Sequence, residues 1–455
     1  MKPITTHALS LLGVLAIVSS SSVAFAGSPL QQFTQGGPEA NTANNQATGS
    51  IFWNPATITG LSDNRVHADV ALSWRFASFQ KTNGNQELDK SNLFTLDYQP
   101  NLAFTRQLSD TGLSIGVGVG RNYLDRTHWL DEAGEQRWQS IYSGMRTWTI
   151  TPTLAYKFSD KFSLGINSQV TRVHAYGYHA LDYGPIIEQQ QGLSNVPREA
   201  PGNEGRAHYI FKGNAGAIGA GVTFSPKEGT DLGFSFTSAS EVNINGDLST
   251  YAPRNESFAE SFGDMEDADA TLNMMLPRRF QLAAQHQIKP TTTLFAGVDF
   301  VQWSMLDEIT ITTSGAVGGI NEPGSVTTTE FKDVIAARAG LQQHMGDRKS
   351  WIAQLGYESS PVSQDHASPA WIYGHSLSGS FGMTFPIDDL HKLGVSYTQR
   401  VMLPYQADES AYTPSTTGDY AKYDGFLSIS LDLGFLNRTQ NLPEVQEAIM
   451  GAEKL

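Results

Sequence analysis

Six cations pose the sharpest chemical question in this chain. Arg279, Lys332, Arg338, Lys392 and Arg400 fall on the polar side of segments in which apolar and polar residues alternate, and Arg121 closes a run with glycine at every second position. A carboxylate held among apolar groups is costly unless a cation or hydrogen-bond donors meet it. Any of the six could do so. The competing reading is that they neutralise acids on the same face, such as Asp299, Glu358 and Asp432.

Two-faced strands would position these side chains. In the last of them Leu427, Ile429, Leu431, Leu433 and Phe435 share one face, and Ser428, Ser430, Asp432 and Gly434 the other. Trp148, Ile150, Leu154, Tyr156 and Phe158 oppose Thr147, Thr149, Thr151, Thr153 and Lys157 in the same way. Leu393, Val395 and Tyr397 oppose Lys392, Ser396, Thr398 and Arg400. Period-two alternation marks strands, but a soluble sandwich shares it. The connections separate the two. Short ones, rich in Pro, Gly, Asp or Ser, fall at Leu108–Thr111, Ser159–Lys161, Ser225–Gly229, Lys289–Thr291, Met345–Arg348 and Pro386–Asp389. They alternate with long ones at Phe79–Asp97, Leu124–Arg146, Ala175–Ala207, Asn245–Asp269, Thr313–Thr327, Pro361–Trp371 and Pro404–Ala421. Tight turns at one end and long loops at the other predict an all-β, transmembrane antiparallel barrel of about fourteen strands over residues 65–435, with both chain ends periplasmic. Trp74, Trp148, Trp303, Trp351, Trp371, Tyr397 and Phe435 lie at strand ends and suit interfacial girdles.

Composition agrees. Lys2, an apolar run from Ala8 to Val18, and Ala24-Phe25-Ala26 read as a secretory signal over residues 1–26. No later stretch approaches the ~18 apolar residues of a membrane helix, so a span must be made of strands. Mean hydropathy is negative, as expected when only alternate strand residues meet lipid. The net charge of −15 excludes a nucleic-acid partner for the chain as a whole. The absence of cysteine excludes disulfides and thiol chemistry. The expected surroundings are outer-membrane lipid and lipopolysaccharide about a monomer.

Other chemistry is thinner. His174, His179 and His208 lack aligned spacing and a second acidic ligand, and read as interfacial histidines rather than metal ligands. The run Asp264 to Asp269 lacks the glycine and closing glutamate of a calcium loop and reads as a solvated acidic loop. Gly374-His375-Ser376-Leu377-Ser378 fails the G-x-S-x-G pattern, which counts against an outer-membrane lipase. No catalytic residue, metal or cofactor is expected.

The third strand is unusual. Leu113, Ile115, Val117 and Val119 face one side, while Ser114, Gly116, Gly118 and Gly120 face the other. Such glycines mark either a bend or room left for something that fills the lumen. A filling is needed, because eight strands suffice for side chains to fill a barrel and about fourteen leave an aqueous channel. Residues 27–64, with Gln31-Gln32-Phe33, Gly36-Gly37-Pro38 and Ala47 through Leu61, are irregular and read as an N-terminal plug.

Within that segment, Ser50-Ile51-Phe52-Trp53-Asn54-Pro55-Ala56 resembles the Asn-Pro-Ala box ending the hatch of the FadL family of outer-membrane transporters for long-chain fatty acids and other hydrophobic compounds. Leu276-Pro277 with Phe280 to Val298 and Trp303-Ser304 is similar to a strand pair of that family. So are Phe331-Lys332-Asp333 through Arg338-Ala339-Gly340-Leu341, then Leu355-Gly356-Tyr357 and Ser360-Pro361-Val362. The resemblance covers nearly the whole mature chain. It implies a hatch that blocks the lumen, a hydrophobic small-molecule ligand, and lateral release at a kink in strand three. Phe52, Trp53, Asn54, Pro55, Ala56, Gly116, Gly118, Gly120, Arg121, Arg279, Lys332 and Arg338 are then the expected ligand-binding or gating residues. A surface adhesin or structural barrel without transport is the alternative, and it would need no plug. Two features depart from the family: the segment before Asn54 lacks an alanine-rich run, and a tail continues from 436 to 455, where Pro443-Glu444-Val445 is expected to begin a short periplasmic helix.

Overall fold

A sheet in lipid has no water to satisfy its edges, so it must close on itself. In the computed structural model the chain does this with fourteen antiparallel strands. Residues 35–435 are described, apart from 62–63, 85, 109–110, 185–187, 189–193, 197–198, 252, 254–265, 315, 318–319, 322–323 and 347–348. The expected leader 1–26, the tail 436–455, residues 27–34 of the N-terminal segment and the start of the acidic run at Asp264 lie outside the described residues.

The strands are β1 (Asn64–Asn83), β2 (Gln86–Leu108), β3 (Leu113–Gly120, then Leu124–His128), β4 (Tyr142–Ser159), β5 (Phe162–Asp182) and β6 (Glu204–Lys227). Then come β7 (Thr230–Thr237, Ser240–Tyr251), β8 (Glu266–Leu276, Arg279–Lys289), β9 (Thr292–Val301, Glu308–Ser314) and β10 (Gly324–Thr328, Val334–Met345). The last four are β11 (Lys349–Glu358), β12 (Ser376–Pro386), β13 (His391–Met402, Tyr405–Ala407) and β14 (Gly418–Phe435). β14 closes the barrel on β1, in register from Asn64↔Phe435 to Lys81↔Gly418. Several strands are interrupted where the sequence demands it. In β8 the break falls at Pro277, which has no N–H to donate to the ladder. In β9 it falls at Trp303, whose side chain turns inward and is 1% exposed.

The expected loop bounds and two girdle residues need correction. The connections over Leu124–Arg146, Ala175–Ala207 and Asn245–Asp269 begin and end as paired strand, as at Leu124↔Arg146, Ala175↔Phe211 and Thr271↔Asn245. The long connection over Phe79–Asp97 is regular strand, with Phe79↔Ser91 and Trp74↔Leu96 paired and the chain reversing about Gly84. Trp303 and Trp371 are not girdle residues, since both are fully buried inside the barrel. Trp74 stacks on Tyr397 and Trp351 on Phe381, all on the outward phase.

The faces of the strands exchange polarity along their length. At the end with the short turns, Trp148, Ile150 and Leu154 of β4 point outward, 42%, 50% and 43% exposed, while Thr149, Thr151 and Thr153 point inward and are buried. In β5, Leu164, Ile166 and Val170 are outward and Ser163 and Thr171 inward; two residues on, Arg172 and His174 are outward and Val173 and Ala175 inward. The phase is unbroken and only the chemistry flips. β6 to β9 repeat this: Tyr209, Phe211, Ile244, Leu272 and Ile311 are buried inside, whereas Lys212, Asn245, Asp269 and Thr312 face out. Lipid outside and polar lining inside give way to water outside and an apolar lining inside, so the flip marks the edge of the membrane.

Candidate functional site

Residues 35–61 lie inside the turn-end half and are bonded to the wall. Two short 3₁₀ helices, Thr48–Phe52 and Pro55–Gly60, flank Trp53-Asn54. The Asn54 side chain accepts from the Ala56 N–H at 2.9 Å, donates to the Thr42 carbonyl at 2.8 Å, and donates to the Val222 carbonyl of β6 at 3.0 Å. One buried amide thus caps a helix, ties two turns together and fixes them to the barrel. Wall glycines make this approach possible: a Cβ on Gly221 would lie 2.0 Å from Asn54 Oδ1, and one on Gly165 2.4 Å from the Pro55 carbonyl carbon. A polar chain holds the other side, with Gly36 N–H donating to Asp69, Thr48 donating to Asp432, and His67 between the two carboxylates at 3.0 and 3.1 Å.

The lumen cations are largely engaged. Arg279 and Arg338 both reach Asp299, at 2.7 and 3.2 Å, and both guanidinium groups lie over the ring of Trp53. Arg400 pairs with Asp424 and lies 3.9 Å from Glu358, while Asp424 also accepts from Arg75 at 2.8 Å. Lys392 reaches Glu39 of the N-terminal segment at 3.7 Å. Lys332 precedes the second segment of β10, outside the strand alternation, and is exposed. Arg121, at the end of the glycine strand, lies 3.6 Å from the inward-phase Asp97. It lies within the wall, over the outward rings of Tyr98 and Trp148 at 4.6 and 5.0 Å, and donates to the Tyr98 carbonyl at 2.8 Å.

Arg121 sits where β3 leaves β2. Pairing with β2 runs to Asn101↔Gly120, whereas pairing with β4 resumes at Leu124↔Arg146 and continues to His128↔Tyr142. On the β2 side the next bridge is Leu93↔Trp129. A cavity at this place is lined by Arg75, Gln99, Asp424 and Phe426 from the lumen and by Asn122 and Arg126 of the departing strand. Gly116 and Gly118 lie on the turn-end side of the break, where added Cβ atoms would meet Ile51 at 2.8 Å and Phe52 at 2.9 Å; at Gly120 one would meet Asn101.

Beyond the break the loop-end lumen is apolar. Phe79, Phe211, Trp303, Phe331, Trp371 and Tyr420 belong to one buried cluster, to which the inward-folded connections after β3 and β11 contribute. At its lower edge stands Lys422, which sequence reasoning overlooked. Its ammonium donates to the Ile372 carbonyl, lies 4.0 Å from the Tyr373 ring centre, and makes no ion pair among the described residues. The signal was available, since continuing the alternation of β14 from Ser428 through Asp424 places Lys422 inside.

The three histidines do not converge: His179 is buried inside, while His174 and His208 face out. Among the described residues one group has metal-ligating donors close together, Glu330, Asp365 and His366, within 4.8 Å of one another in the loops. The Ser363 hydroxyl, then His366, hold the Asp365 carboxyl below the usual carboxylate range.

A membrane barrel with its own N-terminal segment folded into the floor and a packed apolar cluster, the chamber, above it is an arrangement that suits passage of hydrophobic compounds. The family model described as outer membrane protein transport protein (OMPP1/FadL/TodX) matches residues 15–424, and the chain belongs to that family, whose members are transport channels of the Gram-negative outer membrane. Among solved structures, a Pseudomonas aeruginosa FadL homologue is similar with a TM-score of 0.77 at 15% identity, covering 91% of this chain and 100% of that one. The Pseudomonas putida toluene transporter TodX gives 0.66 at 12% identity over 92% and 100%. The CymD monoaromatic hydrocarbon channel gives 0.62 at 15% identity over 90% and 98%. At such identities the likeness establishes the fold. None of the curated proteins matches the chain.

Proposed function

We propose that the protein takes up hydrophobic molecules bearing a carboxylate, long-chain fatty acids before neutral hydrocarbons, and releases them sideways into the membrane between β2 and β3. The observation that carries this reading is the break in β2–β3 pairing beside the Lys422 end of the apolar chamber. A hydrophobic chain gains by leaving water for the chamber and again by leaving the chamber for lipid. Its carboxylate needs a partner, and Lys422 is the lumen cation best placed to supply one. In this reading residues 1–26 are removed, 27–64 act as the hatch, 65–435 form the barrel, and 436–455 hang in the periplasm with both termini there. The hydrocarbon cargoes named for TodX and CymD support an apolar ligand in general; the preference for fatty acids rests on Lys422.

Uptake of oleate and of toluene by cells carrying variants tests both parts. Lys422→Met lowers oleate uptake about tenfold, the worth of one charge-assisted hydrogen bond, and leaves toluene uptake unchanged. Asn122→Trp, which fills the cavity at the break, lowers both while the barrel remains heat-modifiable. Equal loss of both cargoes in Lys422→Met removes the carboxylate reading. Normal uptake in Asn122→Trp removes lateral exit and leaves a path through the floor.

A further inference from the structure

The outward face of β4, β5 and β6 carries a charge pattern that uptake does not use. Arg146 stands directly opposite His174, and His174 opposite Lys212, in one row across the three strands. Arg172 lies one step nearer the turn end, opposite Trp148 and Asn214. Like charges directly opposed across a sheet destabilise it. Among the described residues Arg146, Arg172 and Lys212 make no ion pair; their row continues through the neutral Asn245 and Thr271, and the outward acids Asp247 and Asp269 stand in the next row toward the loop end. Arg172 donates to Asn214 at 3.3 Å, and Arg146 lies 5.6 Å from the ring centre of Tyr176, with its Nε buried and unbonded. In a chain with 45 acidic and 30 basic residues, this local excess of cations needs an external complement.

The position of the patch says what that complement is. On the turn-end side its neighbours on the same face are Trp148, Val170 and Ile218, 42%, 55% and 66% exposed, which belong to the lipid belt. Arg172 and Asn214 are the first polar groups after the polarity flip and His174 and Lys212 follow one step beyond, so the patch sits at headgroup height. Arginine matches phosphate oxygens in a bidentate way, and Trp148 and Tyr176 suit the adjoining interface. We propose that Arg146, Arg172 and Lys212 form a binding site for the phosphate groups of the outer-leaflet glycolipid, lipopolysaccharide. The assignment of leaflet rests on the reading that the long-loop end faces outward.

Native mass spectrometry of the full barrel, mixed with bis-phosphorylated lipid A, dephosphorylated lipid A or phosphatidylglycerol, tests this. The protein is expected to retain the phosphorylated lipid A about tenfold better than either of the others. Arg146→Gln combined with Arg172→Gln and Lys212→Gln abolishes the preference and leaves oleate uptake intact, which separates this site from the uptake reading. Should the triple variant fold poorly, Arg172→Gln with Lys212→Gln carries the same test, because both side chains are exposed. Equal retention of the two lipid A forms, or a preference that survives the substitutions, overturns the site. Equal retention of phosphatidylglycerol overturns the assignment to lipopolysaccharide, since any lipid phosphate would then suffice.

Discussion

The floor of the barrel and the chamber above it are built from the same strands and obey opposite rules. In the floor the lining is Thr149, Thr151, Ser163 and Ser428, and the N-terminal segment is held by bonds with one geometry each, those of Asn54, Asp69 and Asp432. In the chamber the lining is Val173, Phe211, Ile244 and Ile311, held by apolar packing. Directional bonds fix a closure, and nothing else satisfies them as well. Apolar contacts are exchangeable, so a ligand's tail can replace a side chain's at small cost. Alternation sets the phase of a strand; the solvent on each side decides which phase is apolar.

That contrast can be broken at three depths. Trp371→Ala removes a fully buried ring from the chamber and should cost about 3–5 kcal/mol in urea-induced unfolding of the folded barrel. A loss below ~1 kcal/mol would mean that the chamber is not packed as a core. Ile150→Arg, outward and within the lipid belt, should cost about 2–4 kcal/mol in the same measurement, whereas Asn243→Arg, outward beyond the flip, should stay within ~0.5 kcal/mol. Equal costs would erase the membrane edge placed between Thr171 and Val173. Asn54→Ala removes the buried amide from the floor and should cost about 1–3 kcal/mol while raising the permeability of the barrel to small solutes. An unaltered permeability would show that the floor closes without it.

The sequence made the lipid belt and the short turns legible, because there apolar and polar residues alternate against lipid and the reversals carry Pro, Gly and Asp. β14 read from Leu427 to Phe435 as it stands. What lay beyond the membrane edge read as loop. The segment after Phe79 carries Lys81, Glu87, Asp89 and Lys90, which look like loop chemistry, yet their outward and inward phases pair as a hairpin. In β5 the exchange at Thr171 and Val173 imitates a one-residue register slip, so a single alternating template ends there. Arg279, Arg338 and Arg400 could be placed inside by phase, but their partners could not be chosen, since ion pairing depends on neighbours across strands. Trp303 and Trp371 read as girdle residues because strand ends attract them; only the inward fold of the interruptions and loops puts them in the chamber.

Photo-crosslinking locates the ligand directly. A long-chain fatty acid with a diazirine at the tail end, irradiated on the purified barrel and mapped by peptide mass spectrometry, should label the chamber, at residues such as Phe211, Trp303 and Trp371, with labelling suppressed in Lys422→Met. Labels confined to Ile51, Phe52 and Trp53 of the floor, or to the outward belt at Ile150 and Val170, would contradict an apolar chamber that receives the cargo.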